Sequence, residues 1–558
     1  MKRIKLKCTR AHLCLALLML VYTVTAFVNL GALEVPVTQP QMTADADGGH
    51  KGYITYVMLE EEVPLTSMLL YKGLGTAGVT VYTSDDGGEH WTEAAQQVCR
   101  QLYAWETVPL SCTAQLLCIS IGGDDVLEVF EAGFLSGQTV IEVTAGEDAL
   151  FDEQAFVPMM PTYENGMYFD ETYHARTAYE HLLGMEPYEI SHPPLGKLLI
   201  ACGIALFGMS PFGWRFVGCL FGILMLPVLY VLAKRLFGRD LWALTAAALL
   251  AFDFLHFTQT RTALIDAFAV FFILLAYTLM YRYYSETPAE LPYRSSLILL
   301  ACCGCVLGLG IAVKWTAVYA ACGLAVLFVQ GAVRRYRAGE RVLPTCLWCV
   351  LFFGIVPFGI YFLSYLPYFS ADTQTPAWKI FIDNQIYMLT YHGGFSEPHP
   401  FQSKWYTWPL VYRPIWYYGA KSLAAEGLVS SICALGNPLV WWCGTLCIPV
   451  SLYRCVRSRE DRFLLIAMLS QYLPWAFISR PTFIYHFFAS VPFLILMLVS
   501  ALKVLSERMR YGYVLTVVLL VGAAGLFVMF YPVLSGAVVD RGYVLNVLSW
   551  FDSWILCY

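Results

Sequence analysis

Charged side chains are scarce in this sequence. Asp, Glu, Lys and Arg make up only 14% of its 558 residues, whereas about a quarter of the residues are charged in a typical soluble domain. Apolar residues account for 58%, and the mean hydropathy is +0.58. Because apolar runs long enough to cross a bilayer recur along the chain, this composition excludes an ordinary soluble protein and indicates a polytopic membrane protein.

The spacings typical of protein metal sites are missing as well. No two CxxC motifs lie at the spacing of a zinc site, and there is no HExxH motif. Most of the 18 cysteines lie inside apolar runs, where they behave as small hydrophobic residues. Only Cys99, Cys112 and Cys118 lie together in a polar stretch, and a disulfide between two of them is compatible with that pattern.

Basic residues are nearly absent from one third of the chain. Between Glu34 and His192 there are 26 acidic residues and four basic ones, a net charge of −22. Since the whole chain carries −6, the remainder carries −6 + 22 = +16. A bilayer that separates the acidic part from the basic part is the simplest explanation.

Clusters of Lys and Arg predict the topology, because short cytoplasmic loops are enriched in these residues. The clusters lie at 2–7, 234–239, 281–294, 334–341, 453–462 and 507–510. Paired crossings between them predict eleven spans, with the N-terminus inside and the C-terminus outside, at about 11–33, 214–233, 241–258, 263–283, 294–312, 315–333, 343–367, 427–452, 463–479, 484–505 and 512–533. A signal peptide also begins with a basic flank, but this topology needs the first run as an anchor.

The run 193–209 is not counted as a span. It begins with two prolines, contains Lys197 and is short for a crossing, so we interpret it as a helix that lies along the outer surface. Both the acidic region 34–213 and the polar loop 369–426 are then external.

Residues 35–155 have alternating apolar and polar positions with Asp-Gly-Gly and Gly-Gly turns, which predicts a β-rich domain outside the membrane. The segments VYTSDDGGEHW and VLEVFEAGFLSG loosely resemble discoidin-like β-sandwich modules, which often bind sugars or surfaces. A spacer domain without a ligand is the alternative interpretation.

Polar and ionisable clusters from at least six segments fall at the outer face in this topology. They include DE at 170–171, HPPLGK at 192–197, HFTQTR at 256–261, the loop 391–409 and SRPTFIYHF at 479–487. Ionisable groups at membrane depth are costly and usually functional. Several cations suit a phosphate and a carboxylate suits a general base, so the pattern predicts group transfer from a lipid phosphate to a hydroxyl.

The same motifs, in the order DE, HPPLGKLL, WRFVG, FTQTRTALIDAF, VKWT, SKWYTWP, GNPLVWW and RPTFIYHFF, resemble the protein O-mannosyltransferase family. The resemblance covers about residues 165–535. It implies a GT-C fold with eleven spans and two juxtamembrane helices in the first external loop. The loop 369–426 is too short for the MIR domain of eukaryotic members and is similar to the prokaryotic branch, while the domain at 35–160 is an insertion that the family pattern does not require.

The resemblance implies that Asp170 is the general base. It would take the proton from a Ser or Thr hydroxyl that attacks the anomeric carbon, so that a β-linked mannosyl phosphate gives an α-mannosyl product. The alternative is that Asp170 caps the helix that follows it. Glu171 either orients the site or interacts with the helix dipole.

Further residues are expected to bind the sugar and the lipid phosphate. Several of these residues also have a structural alternative. Lys197 could reach lipid head groups, and Arg261 and Asp266 could pair with each other. Lys314 and Trp315 could anchor the chain at the membrane interface. The aromatic residues of the loop 391–409 also suit an aromatic belt. The full set is His192, Lys197, Arg215, Arg261, Asp266, His392, Lys404, Trp405, Arg480, Tyr485 and His486.

These observations predict a multi-pass cell-membrane enzyme with extracytoplasmic catalytic loops. The expected partners are a polyprenyl-phosphate-linked sugar, acceptor-protein Ser/Thr residues and membrane lipid, with no nucleic acid. No metal or cofactor is expected, because cations neutralise the phosphate. The predicted organisation is a cytoplasmic N-terminus and first helix at 1–34, a β-sandwich at 35–160, a first external loop with juxtamembrane helices at 161–213, helices two to seven at 214–368, an external loop at 369–426, helices eight to eleven at 427–534 and an external tail at 535–558.

Three other functions remain open from sequence. A related GT-C transferase could move another sugar to a lipid or polysaccharide. A lipid-linked sugar transporter or flippase is disfavoured, because no internal repeat is found and the ionisable groups lie at one face rather than at the midplane. A receptor-like scaffold would use the β domain for adhesion.

Overall fold

The computed structural model describes residues 9–44, 50–143, 148–394, 397–420 and 427–557. The chain begins in the described part with helix α1 and continues into a sheet domain. The basic cluster at 2–7 lies outside the described residues. The elements up to the first long polar loop are α1 (Arg10–Phe27), β1 (Thr43–Ala44), β2 (His50–Lys72), β3 (Ala77–Ser84), β4 (Thr92–Cys99), β5 (Ala104–Asp124), β6 (Val129–Ser136) and β7 (Thr139–Ile141).

The sheet is antiparallel, with the strand order β4–β3–β5–β2–β6–β7, and β1 pairs with β2 at its start. The long strands β2 and β5 connect two halves of the sheet, one with β3 and β4 and the other with β6 and β7. Register shifts after Met58 and Leu65 bend β2 between these halves. Val57 and Ile119 from one half share a buried cluster with Phe134 from the other. The predicted β-rich domain is confirmed, although its two layers are joined by shared strands and do not form two separate sheets.

The disulfide that the sequence pattern allowed is not formed, because Cys99, Cys112 and Cys118 are all free thiols. Cys112 and Cys118 lie six residues apart on β5, which places them about 20 Å apart along a strand. Cys99 pairs with Ala77 across β3, whereas Cys118 pairs with Tyr82 further along the same strand. No pair of these Cα atoms can therefore come within the roughly 7 Å that a disulfide requires.

Two helices that follow the sheet domain in the chain pack against it. They are α2 (Glu171–Leu183) and α3 (Leu195–Phe207), the latter matching the expected juxtamembrane run. One face of the sheet buries Tyr71 and Trp105 in a cluster that also contains Ala178 of α2 and Ile200 of α3. The sheet domain therefore packs directly on the helical part of the chain.

The remaining helices form the membrane part. In the described residues, eight helices are long and apolar enough to cross a membrane, or nine if the pair α5 and α6, bent by 58°, is one span. The count of eleven therefore stays a prediction. Helix α1 is one of the eight candidates. All helices and strands after α3 are α4 (Pro211–Phe237), α5 (Asp240–Ala251), α6 (Phe254–Arg261), α7 (Asp266–Ser285), α8 (Tyr293–Val313), α9 (Ala317–Arg337), α10 (Leu343–Val350), α11 (Val356–Leu363), α12 (Leu366–Ala371), α13 (Ala377–Gly394), β8 (Ile415–Gly419), β9 (Leu428–Val429), β10 (Ser431–Ala434), α14 (Pro438–Arg454), α15 (Arg459–Tyr472), α16 (Val491–Arg508), α17 (Gly512–Ser535), β11 (Val539–Asp540) and α18 (Arg541–Tyr543).

One predicted helix start differs by eleven residues. The eighth span was expected from 427, but β9 and β10 occupy the first part of that segment, and β10 pairs with β8. The helix α14 begins only at Pro438. Asn437 caps it, because its side-chain oxygen accepts a hydrogen bond from the backbone N–H of Leu439. The apolar run alone does not reveal the strand, because short apolar runs fit strands and helices equally.

The ends of the long helices differ in charge. Lys234 and Arg235 lie in the last turn of α4, and Arg282 lies in the last turn of α7. Arg215 lies in the second turn of α4, and Asp266 is the first residue of α7. The predicted site residues and the basic clusters therefore lie at opposite ends of these helices.

Candidate active site

Asp170 presents a carboxylate that is not used to hold the fold together. It occupies the N-cap position of α2, but its side chain makes no capping hydrogen bond. Its backbone carbonyl instead accepts from the N–H groups of Tyr173 and His174, at 3.1 and 3.0 Å. The pKa of Asp170 is raised to about 7, chiefly by burial; Lys314 lowers it, and Asp266 and Glu189 contribute to the rise.

The neighbouring Glu171 has the opposite environment. It is fully buried, and the Arg215 guanidinium grips it in two places, with Nε at 2.8 Å from Oε1 and Nη2 at 2.7 Å from Oε2. Glu171 also accepts from the indole N–H of Trp214 at 3.2 Å and the backbone N–H of Ala263 at 3.0 Å. This carboxylate therefore ties α2 to α4 and to the turn before α7.

Arg215 has no N–H group left for a ligand. Besides Glu171, its guanidinium donates to the backbone carbonyls of Leu30, Tyr163 and Gly166, at 2.8 to 2.9 Å. These carbonyls come from the end of α1 and from the loop before α2. The expected contact of Arg215 with phosphate stays a prediction, and the geometry favours a positioning role.

The residues before Asp170 are also fixed. Phe169 has a φ of 51°, which side-chain-bearing residues rarely adopt, and its ring stacks on Tyr417 at 4.0 Å between centroids. The Tyr168 hydroxyl lies 3.0 Å from that of Thr262. Asp170 therefore stands between two anchored segments, so its carboxylate is held in place by its neighbours.

Lys197, the last residue of the HPPLGK segment, forms a buried ion pair with Glu189. The Lys197 ammonium donates to Oε2 of Glu189 at 2.5 Å and to the carbonyls of Glu189 and His192 at 2.7 and 2.9 Å. These three bonds use all its protons. Nδ1 of His192 lies 3.0 Å from Oε1 of Glu189, and burial lowers the His192 pKa. Lys197 shapes the loop, while His192 presents a neutral imidazole.

Asp266 and Lys314 form a second pair next to Asp170. The Lys314 ammonium lies 2.9 and 2.8 Å from the two carboxylate oxygens of Asp266. Asp266 begins α7 and Lys314 follows α8, so the pair connects two helices at one end of the bundle. The expected pairing of Asp266 with Arg261 is replaced by this one.

A cleft of about 270 Å³ opens beside this pair. Arg480 lies in its wall, partly buried, and no carboxylate of the described residues is within salt-bridge distance of it. Lys314, His192 and His392 also line the cleft, together with the aromatic rings of Trp315, Tyr319 and Trp475. The cleft therefore offers an unpaired cation, a paired cation and two imidazoles between aromatic walls.

Tyr485 and His486 lie behind this cleft. A smaller, separate cavity, which shares Tyr319 and Trp475 with the cleft wall, is lined by both residues and by Asp266. The His486 ring is 4.3 Å from that of Trp475 and 4.5 Å from that of Tyr485. Nδ1 of His486 lies 3.0 Å from both the backbone N and the carbonyl O of Phe483.

Three predicted residues lie elsewhere. Arg261 donates to the carbonyls at 28 and 29 at the end of α1, at 3.0 and 2.7 Å, and lines none of the clefts described here. Lys404 is exposed. Trp405 packs on Tyr472 with ring centroids 5.1 Å apart. His392, from the same loop region, does join the cleft through a 2.9 Å contact between Nε2 and the Ser191 carbonyl.

Sequence reasoning missed two residues of this region. Glu189 organises the loop before α3, and its only signal was its place three residues before His192. Tyr417, under the Phe169 ring, lies in β8, which pattern did not predict. Lys314 was expected to anchor the chain at the membrane interface as one of its possible roles. In the structure it lines the cleft.

Two family models match the chain. Residues 207–371 match the model of dolichyl-phosphate-mannose-protein mannosyltransferase, and residues 377–554 match the C-terminal four-transmembrane region of protein-O-mannosyltransferase. Together they cover more than half of the sequence.

The chain belongs to the protein O-mannosyltransferase family. A relative in Mycobacterium tuberculosis, polyprenol-phosphate-mannose–protein mannosyltransferase, is 28% identical over 457 residues, or 69% of this chain and 86% of that protein. The relative of the same name in Corynebacterium glutamicum is 28% identical over 436 residues, or 65% of this chain and 81% of that protein.

A solved structure extends the match to the fold of this O-mannosyltransferase family member. The S. cerevisiae protein O-mannosyltransferase Pmt1–Pmt2 complex bound to the sugar donor superposes with a TM-score of 0.62 at 15% identity, over 70% of this chain and 89% of that one. The predicted GT-C fold, a helical membrane protein with an additional sheet domain, is confirmed.

Proposed function

We propose that this protein transfers mannose from a polyprenyl-phosphate-mannose donor to Ser or Thr hydroxyls of proteins. The observation that carries this proposal is Asp170, a partly buried carboxylate that makes no capping hydrogen bond, next to a cleft that contains the unpaired cation Arg480. The names of the curated relatives support this choice of donor and acceptor.

The proposed reaction begins at Asp170. Its carboxylate takes the proton of the acceptor hydroxyl, and a pKa near 7 suits this role because the base is then ionised at neutral pH and still accepts a proton. The hydroxyl oxygen forms a bond to the anomeric carbon as the bond from that carbon to the phosphate oxygen breaks. The lipid phosphate leaves with the electron pair.

The cations of the cleft stabilise the leaving group. The planar guanidinium of Arg480 suits two phosphate oxygens, and the Lys314 ammonium adds a second positive charge. Attack and departure on opposite faces of the sugar invert its configuration, so we propose an α-linked product from a β-linked donor. A lipid donor also places this end of the bundle at the outer leaflet, as the distribution of Lys and Arg suggests.

We also propose that the transfer needs no bound metal. Two groups of side chains in the described residues are close enough to share an ion, Asp86 with Glu89 and His90 and Glu131 with Asp152 and Glu153, and both are in the sheet domain. At the cleft, the carboxylate of Asp266 already binds a lysine. Transfer that survives EDTA and does not increase with Mn²⁺ or Mg²⁺ is the expected result.

The decisive experiment is a transfer assay with purified protein, labelled polyprenyl-phosphate-mannose and either a Thr-containing polypeptide, a glycolipid or a polysaccharide. Labelling of the polypeptide, and release of that label by an α-mannosidase but not a β-mannosidase, is expected. Labelling of the lipid or polysaccharide alone would contradict the protein acceptor. Label released by the β-mannosidase would contradict inversion.

A further inference from the structure

A second groove lies between the sheet domain and α2. Its volume is about 550 Å³, within the range of ligand-binding pockets. The sheet side contributes Thr76, Arg100 and Val126 from loops at one end of the strands. The helix side contributes Phe169, Tyr173 and Tyr188.

Both walls of the groove are firmly built. The Tyr173 and Tyr188 rings are parallel within 7° at 6.3 Å, and the Arg176 guanidinium lies 3.7 Å above the Tyr188 ring. Behind this wall, the Tyr103 ring of the sheet domain meets Tyr179 of α2 edge-on at 5.5 Å. The groove therefore lies between the sheet domain and α2, which are packed directly against each other.

The groove reaches the residues on either side of Asp170. Phe169 directly precedes Asp170, and Thr172 and Tyr173 follow it within three residues, and all three line the groove. The charge of Asp170 raises the pKa of the Tyr173 hydroxyl after the larger effect of burial, which places the two groups close together. A molecule in the groove therefore contacts the residues on either side of Asp170, and the groove shares no lining residue with the donor cleft.

We propose that this groove binds an extended segment of the acceptor polypeptide and guides its hydroxyl to Asp170. This inference rests on the proposed function. Aromatic rings, exposed backbone of the loops and the charged Arg100 and Asp124 suit a peptide, with its mixed apolar and amide surface. A lipid tail is disfavoured, because half of the lining comes from a polar sheet domain rather than from the membrane helices.

The matched variants are Val126→Trp in the groove and Met58→Trp on the same domain. Their side chains are 36% and 61% exposed, so both changes add a ring at the surface. Steady-state transfer is measured with a polypeptide acceptor, with N-acetyl-threonine amide and with varied donor. Val126→Trp is expected to raise the KM for the polypeptide on the order of tenfold, a loss of about 1.4 kcal/mol. Its effect on the capped threonine is much smaller, and Met58→Trp changes neither value.

A crosslinking arm separates this inference from the proposed function. A photoreactive benzoylphenylalanine at position 126 is combined with Asp170→Asn, so that capture needs no turnover. Crosslinking to the acceptor polypeptide supports the groove. An unchanged polypeptide KM in active Val126→Trp, or a crosslink to labelled donor instead of polypeptide, overturns it. Absence of transfer by the wild-type protein counts against the proposed function, whereas the crosslink still reports on the groove.

Discussion

At the scale of single residues, the adjacent carboxylates Asp170 and Glu171 differ in what holds them. The Glu171 carboxylate accepts five hydrogen bonds from Arg215, Trp214 and the backbone N–H groups of Tyr168 and Ala263, whereas Asp170 makes no capping bond. One orders the loop and the other is left available for chemistry. In the proposed reaction, Asp170 is therefore the base and Glu171 is the residue that orders its loop.

Replacing Asp170 by Asn is expected to abolish mannosyl transfer without destabilising the protein. The amide keeps the shape of the side chain but cannot take up a proton. Transfer falls by at least the 10² to 10⁴-fold typical of general-base catalysis, while Tm and donor binding stay at wild-type values. Glu171→Gln serves as the comparison, since it lowers Tm by weakening the pair with Arg215. Near-normal turnover of Asp170→Asn would contradict the assignment.

The pH profile of transfer reports on Asp170. Because burial raises its pKa to about 7 and the ionised form is the active base, kcat/KM is expected to rise with pH and level off above about 7. Lys314→Met removes a charge that lowers this pKa, so its midpoint moves to higher pH. Asp266→Asn removes a charge that raises it, so its midpoint moves to lower pH. Equal midpoints in the three proteins would rule out Asp170 as the group that titrates.

Arg480 and Arg215 are expected to respond differently to the same change. Arg480 has no carboxylate partner in the described residues, so Arg480→Gln weakens donor binding and leaves Tm unchanged. Arg215→Gln breaks a buried ion pair and lowers Tm. The two variants are compared by thermal unfolding and by the KM for the lipid donor. A large loss of Tm for Arg480→Gln would show that it is structural.

At the scale of elements, the loop between α2 and α3 depends on the pair Glu189–Lys197. Lys197→Met alone leaves a buried carboxylate unpaired and is expected to cost about 3 to 5 kcal/mol. In Lys197→Met with Glu189→Gln, the second change costs much less than it does alone. A double-mutant cycle from denaturant unfolding measures this coupling. Additive losses would mean that the pair does not hold the loop.

Helices were predicted better than strands and partners. Long apolar runs predict α4, α7 and α17, because their pattern is local. The strand β10 and the contact of Phe169 with Tyr417 depend on pairing with residues far away in sequence, which periodicity does not contain. The predicted phosphate ligands Arg215 and Lys197 show the same limit, since residue type alone does not reveal that internal carboxylates occupy them.

At the scale of the whole molecule, the site residues and the basic clusters lie at opposite ends of the helices. In a background without reactive cysteines, Tyr188→Cys is expected to react with a membrane-impermeant maleimide added to intact cells. Arg337→Cys, at the end of α9, is expected to react only after permeabilisation. The order of labelling is read by mass shift, and the reverse order would place Asp170 in the cytosol and contradict the proposed lipid donor.

The docking of the sheet domain also limits how this protein can be shortened. Gly166, two residues before Tyr168, leaves room for Ala104 of the sheet, since an added Cβ there would come within 2.7 Å of the alanine side chain. The family resemblance starts after this domain, so an enzyme trimmed to the shared region would seem complete on paper. Removal of the sheet domain would expose the apolar residues of α2 and α3 that it buries, and the segment that carries Asp170 would lose the domain packed against it.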